Sequence, residues 1–250
     1  MPKVKVGDIT MRYEKIGQGD PLVFINGAGA HCEGLLPLIS KYTEHFECIL
    51  FDNRGIGQTD APDIPYTTEM MANDLAGLLG VLGVNRVHLI GRSMGGMIAQ
   101  QFAIRYPERV KRLVLMSTSC GGPMSDPIAR IDMSDLDQVK TAIFTENFIR
   151  ENPESVEHFV NMFSQGFGGV GIERQTEAVF SHDVFEQLPG ITAPTLIITG
   201  DSDRSVPPRN SEVLASRIPD AKLVILPDAG HTLIEAGEQP DLLALEFLMG

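Results

Sequence analysis

Tryptophan is absent from this chain of 250 residues, and only three cysteines occur, Cys32, Cys48 and Cys120. An odd number of thiols without metal-type spacing argues against a disulfide framework or a thiolate metal centre, and leaves reduced, buried side chains. Cations are scarce too: 20 Lys and Arg stand against 33 Asp and Glu, a formal charge of −13. That balance disfavours nucleic acid or an anionic membrane surface as a partner. No apolar run approaches transmembrane length, and the opening MPKVKVGDIT lacks the apolar core of a signal peptide. The expectation is a cytoplasmic enzyme, monomer or homodimer, with a small-molecule partner, no nucleic acid and no membrane.

What is present fits an ordinary globular chain. Hydrophobic residues make up 43% and charged residues 21%, and the length suits one domain with a sizeable core. Short apolar runs recur with helical patterns between them: Leu22–Ile25, Phe46–Phe51, Val87–Ile90, Val110–Met116, Thr195–Thr199 and Lys222–Leu226 read as strands. Lys3–Val6 and Ile9–Glu14 flank Gly7-Asp8 as a hairpin. Helical patterns cover Leu35–Tyr42, Thr68–Leu82, the stretch after Ser93, about Asn210–Ile218, and a last segment from about Leu233. Continuous apolar strands alternating with helices predict an α/β fold, a mostly parallel sheet with helices on both faces. The rhythm breaks between Gly121 and Pro189, where helical pieces such as Val139–Arg150 and Ser155–Phe163 replace strands. An inserted helical cap over residues 121–189 is therefore expected, between core portions 1–120 and 190–250.

One stretch organises the chemistry. Val87-His88-Leu89-Ile90 leads into Gly91-Arg92-Ser93-Met94-Gly95, and a helical pattern starts directly beyond. G-x-S-x-G between a strand and a helix is a nucleophile elbow. Gly91 and Gly95 relieve crowding where the chain turns sharply, Ser93 is pushed out of the sheet, and the Met94 N–H lies at a helix N-terminus.

A serine hydroxyl needs a base. Of six histidines, His231 follows the strand ending at Leu226, in Asp228-Ala229-Gly230-His231-Thr232, where a catalytic loop belongs. His31, near the Asn26–Ala30 loop, is the competitor. The imidazole needs a carboxylate. Asp201 and Asp203 both follow the strand Thr195–Thr199. Asp203 is preferred, because Asp201 sits close to the strand end and suits a turn cap. A second oxyanion donor is expected from Asn26-Gly27-Ala28-Gly29, with the Ala28 N–H joining that of Met94 and Gly27 and Gly29 giving the loop its freedom.

With these residues in hand, the chain resembles the α/β-hydrolase superfamily over essentially its full length. The resemblance rests on FINGAG, FDNRGIGQT, GRSMGGMIAQQFAIRYPERVKRLVL, TGDSDRSVP and DAGHTLIE. It implies Asp203 as catalytic acid, three residues after Gly200, and Asp52 and Arg54 as structural braces near the site. Asn26 departs from the family's usual His-Gly at that point.

Serine at 93 argues against the superfamily's haloalkane dehalogenases and epoxide hydrolases. Thr232-Leu233 after the histidine, where carbon–carbon bond hydrolases usually carry tryptophan, weighs against that branch. GRSMGGMIAQ is similar to the enol-lactonase and small-ester branch, which implies hydrolysis of a carboxylic ester or lactone through an acyl-enzyme on Ser93, without cofactor or metal. The alternatives are a carbon–carbon bond hydrolase, thioesterase or lyase on the same fold, or a hydrolase-derived ligand receptor. Seven of the twelve phenylalanines fall in the 121–189 segment, so a largely apolar pocket is expected from Phe144, Phe148, Phe163 and Phe167, with Val206 from the core. Arg130, Arg150 and Arg174 are candidate ligands for a substrate carboxylate, though surface positions are the commoner explanation for such arginines.

Overall fold

The computed structural model describes residues 2–132, 134–164 and 169–250, the side chains of Met162 and Phe163 excepted. The strands are β1 (Lys3–Val6), β2 (Ile9–Ile16), β3 (Asp20–Ile25), β4 (Phe46–Phe51), β5 (Val87–Arg92), β6 (Val110–Met116), β7 (Thr195–Gly200) and β8 (Lys222–Leu226). The helices are α1 (Thr68–Val81), α2 (Met94–Arg105), α3 (Leu136–Ile143), α4 (Glu146–Glu151), α5 (Pro153–Ser164), α6 (Val170–Phe180), α7 (Arg209–Arg217) and α8 (Gln239–Met249). The strands form one eight-stranded sheet in the order β1-β2-β4-β3-β5-β6-β7-β8. Only the pairings of β1 with β2 and of β2 with β4 are antiparallel.

Successive side chains of the central strands alternate between two cores, as the pleat demands. Val23, Leu89, Leu113 and Ile197 pack with Leu75 of α1, Phe102 of α2 and Leu214 of α7. Leu22, Ile90, Val114 and Ile198 pack on the other face with Tyr42, Ala244 and Leu248. Burial on both sides is why these strands read as unbroken apolar runs.

The topology places a crevice. From β3 the chain passes to β4 on one side, whereas β5 passes to β6 on the other, although β3 and β5 are neighbours. Their carboxyl ends thus meet at the point where strand order reverses, the usual place for a ligand in an open α/β sheet.

Helices α3 to α6 lie between β6 and β7. Val139, Ile143, Phe144, Val156 and Val160 give this segment a small core of its own. Its two ends are pinned together by a β-bridge between Gly121 and Asp183.

Local chemistry explains where the elements differ from the periodicity. The expected helix Val139–Arg150 is two, because Thr145 is extended (ψ 152°) and its hydroxyl accepts the Phe148 N–H, starting a new helix. The Leu35–Tyr42 region contains short 3₁₀ turns, Cys32–Leu35 and Ile39–Lys41. The last helix starts at Gln239 and not near Leu233, since Leu233 adopts a left-handed conformation (φ 62°) before a 3₁₀ turn. Helix α6 (Val170–Phe180) has no matching apolar periodicity in the sequence.

Candidate active site

Ser93 sits between β5 and α2 with φ 53° and ψ −122°, a conformation rarely adopted by a residue with a side chain. Neighbouring backbone and one hydroxyl hold it there. Its N–H donates to Met116 O (2.9 Å), and its carbonyl accepts from Gly96 N (2.9 Å) and Thr118 Oγ1 (2.7 Å). The tightest constraint is at Gly95, where an added Cβ would run into the Ile25 carbonyl. At Gly91 it would meet the Gly95 backbone. Strand β3 and helix α2 approach so closely that only glycine fits between them.

The loops after β7 and β8 meet beside this turn. His231 Nδ1 lies 2.8 Å from Asp203 Oδ2. Asp203 is buried, and its other oxygen accepts the N–H groups of Ser205 (2.9 Å) and Val206 (2.8 Å). Asp201 points elsewhere: it is exposed and accepts the Ser202 hydroxyl (2.8 Å). Because the carboxylate can only accept, Nδ1 is the donor of this bond, and Nε2 is the ring nitrogen turned away from Asp203.

Ser93 and His231 line one cavity of about 430 Å3 with Gly27 and Ala28. Its walls are mainly apolar, from Met97 and Met116 of the core to Val139, Phe159, Val179 and Phe180 of the inserted segment. Ala28 N–H and Met94 N–H have no hydrogen-bond partner among the described residues. Both donors are therefore free for a ligand, one at the carboxyl end of β3 and one at the first turn of α2.

Val206 lines the cavity, but Phe144 and Phe148 do not. They stack on one another with ring centroids 5.6 Å apart, in the private core of the inserted segment. An apolar stripe on a short helix has two possible partners, core or cleft, and here the core takes it. Phe167 and the Phe163 side chain lie outside the described residues. Phe159 and Phe180 line the cavity instead. Among the arginines, Arg150 pairs with Glu151 (3.3 Å) and Arg174 with Asp63 and Glu177 (both 3.0 Å). Arg130 lies over the Phe180 ring, 3.9 Å from its centroid, and lines the cavity. His31, the competing base, also lines it, with Nδ1 2.8 Å from Glu33.

Three supports complete the setting. Arg92 Nη1 donates to Thr232 O (3.4 Å) and Nη2 to Asp241 Oδ1 (3.2 Å), tying the elbow to the His231 loop and to α8. The sequence carried a hint, since a charged residue ending a buried strand requires a partner. Arg54 grips Asp74 through two bonds (2.6 and 2.7 Å). Asn26 braces its own loop: Nδ2 donates to His31 O and its backbone carbonyl accepts from Asn53 Nδ2, both 3.2 Å.

Cys32, Glu33 and Asp52 bring three potential metal ligands together. The Arg12 guanidinium already occupies the group, 2.8 Å from Glu33 and 3.4 Å from Asp52, and burial drives the Cys32 thiol far above its ordinary pKa. A neutral thiol beside a compensated carboxylate pair is an ion-pair brace.

The sheet order, the crevice and the elbow define an α/β class of protein, and the sequence profile of the alpha/beta hydrolase fold matches residues 20–169 and 140–238. The chain belongs to that family and is a hydrolase. It is 33% identical over 239 residues to a poly(3-hydroxyalkanoate) depolymerase of Ectopseudomonas oleovorans, covering 91% of this chain and 84% of that protein. It is 30% identical to 3-oxoadipate enol-lactonase 2 of Acinetobacter baylyi, covering 97% and 94%. Among solved structures, the enol-lactonase of Burkholderia xenovorans superposes with a TM-score of 0.90 at 26% identity, over the whole of both chains.

Proposed function

We propose that the protein is a serine hydrolase that cleaves a carboxylic ester or lactone of a small, largely apolar substrate through an acyl-enzyme on Ser93. The observation that carries this reading is the His231–Asp203 hydrogen bond at 2.8 Å beside the cavity into which the strained Ser93 projects. Uncatalysed hydrolysis of an ester or lactone in bulk water is slow; on this reading His231 acts as an oriented base and the two amides as fixed donors.

Each step uses residues already located. His231 Nε2 takes the Ser93 proton as Oγ bonds to the substrate carbonyl carbon, and the carbonyl π electrons move onto oxygen. The Ala28 and Met94 N–H groups hold that oxyanion. Asp203, fixed by two backbone donors, keeps Nδ1–H pointed away from the nucleophile and offsets the imidazolium charge. The carbonyl re-forms, the C–O bond to the leaving group breaks, and His231 returns the proton to the alkoxide. Water then repeats the sequence on the acyl-enzyme and frees Ser93. With a lactone, the alcohol stays tethered to the acyl group and the product is an open-chain hydroxy acid.

The cavity volume falls in the range typical of small-molecule sites, about 300–1,000 Å3. The names of the depolymerase and the enol-lactonases agree with ester and lactone chemistry. The test is turnover of p-nitrophenyl esters of increasing chain length, and of simple lactones, by wild type and Ser93→Ala. Ester hydrolysis lost in the variant is expected; hydrolysis that survives the substitution removes Ser93 from the mechanism.

A further inference from the structure

The loop that carries the Ala28 N–H is held from above by one side chain of the inserted segment. Gln175, on α6, is fully buried. Its Oε1 accepts the Gly29 N–H (2.9 Å) and its Nε2 donates to Arg54 O (2.8 Å). The amide orientation is dictated by these partners, since a backbone N–H can only donate and a carbonyl only accept.

The bond to Gly29 ties down the turn that carries the Ala28 N–H. Gly27 O accepts the Ala30 N–H (3.3 Å) and Gly29 has φ +77°, the pattern of a type II turn over residues 27–30. In a trans peptide the N–H points opposite the carbonyl, so this turn bond directs Ala28 N–H outward. A flip of the central Ala28–Gly29 peptide, which separates type I from type II turns, leaves the turn bond and the direction of Ala28 N–H unchanged. Gln175 therefore acts on position: its carbonyl ties the Gly29 N–H, and with it the turn, to α6, which sets where the outward Ala28 N–H stands.

Helix α6 is itself anchored on the far side of the clamp. An added Cβ at Gly171 would collide with the Gly55 carbonyl, so α6 and the Asp52–Gly57 loop touch backbone to backbone. Gln175 is one turn further along the same helix face. Arg54, whose carbonyl it engages, is locked by Asp74. The same helix presents Thr176, Val179 and Phe180 to the cavity.

We propose that Gln175 is a positioning residue for the oxyanion loop, so that the inserted segment builds part of the catalytic geometry as well as the substrate wall. This rests on the reading of Ala28 N–H as an oxyanion donor. Gln175 touches no reacting atom and acts through Gly29.

Gln175→Leu and Gln175→Glu test it, with Ser93→Ala as the control for the underlying reading. The leucine removes both hydrogen bonds at similar volume. For a p-nitrophenyl ester its kcat is expected to fall about tenfold or more, short of the 10²–10³ typical of deleting an oxyanion donor outright, with KM within about twofold. Affinity for a boronic acid that mimics the tetrahedral intermediate should fall in parallel, while affinity for the ester's product acid stays unchanged. The glutamate, protonated, can both accept from Gly29 and donate to Arg54, so its activity relative to wild type should recover as pH is lowered. Wild-type kcat and boronate affinity in a folded Gln175→Leu protein overturn the proposal, as does a loss confined to KM. Should the leucine variant not fold, a Gln175→Glu protein with a wild-type kcat and boronate affinity at every pH overturns it in the same way. If Ser93→Ala retains turnover, it is the reading of the site that fails.

Discussion

At the scale of single residues, the site stores its organisation in one unfavourable backbone conformation. Holding Ser93 at φ 53° costs on the order of 1–3 kcal/mol, and bonds to the Met116 and Gly96 backbone and to the Thr118 hydroxyl hold it there. Ser93→Ala or His231→Ala is expected to lower kcat/KM by at least about 10³, measured on a p-nitrophenyl ester, because the members of such a unit fail together. Asp203→Asn should cost about 10⁴, since its amide can donate to Nδ1 and so favour the wrong tautomer. Gly95→Ala is expected to destabilise the fold by at least about 2 kcal/mol in urea unfolding, because the added methyl meets immovable backbone at Ile25. These positions were legible in the sequence because each lies in a short-range signal: G-x-S-x-G between strand and helix, or a polar loop directly after an apolar run. Phe144 and Phe148 were not legible in the same way. Spacing shows that a side chain is apolar, but not which of two apolar surfaces receives it.

At the scale of elements, the inserted segment is where sequence and structure part most. Helix α6 reads VGIERQTEAVF, with five polar residues in succession, so no apolar stripe announces it. One of those five, Gln175, is buried because two backbone groups satisfy its amide. The strands, by contrast, were legible to within two residues at either end, the central ones because burial on both faces leaves an unbroken apolar signature. Just beyond α6, His182 is buried against Thr68, with Nδ1 2.8 Å from the hydroxyl, and burial pushes its pKa down to about 3. The unfolded chain takes up a proton near pH 6.5 that the folded chain refuses, so this group's contribution is complete above that pH and lost as pH falls toward 3. Between pH 7 and pH 5 the loss should be about 2 kcal/mol. Urea unfolding at the two pH values checks it, and His182→Asn should flatten the dependence. Phe144→Ala should cost about 3 kcal/mol and strip hydrogen-exchange protection from residues 136–164 before the sheet is affected.

At the scale of the whole molecule, topology decides where chemistry can happen. The neighbouring strands β3 and β5 send the chain to opposite sides, and the two unpartnered donors, Ala28 N–H and Met94 N–H, lie at the crevice this creates. The broad architecture was legible from strand and helix alternation. The identity of the cavity wall was not, because it depends on how separate helices of the inserted segment pack in three dimensions. Phe159→Ala opens that wall, and the ratio of kcat/KM for a longer acyl ester to that for the acetate should rise.

The central claim is a covalent one: the acyl group passes through Ser93. Rapid mixing with a p-nitrophenyl ester, quenching in acid and peptide mass spectrometry tests it most directly. The account predicts a burst of up to one p-nitrophenol per chain and an acyl mass on the peptide containing Ser93, both absent in Ser93→Ala. An acyl group on another residue, or an undiminished burst from Ser93→Ala, would contradict it.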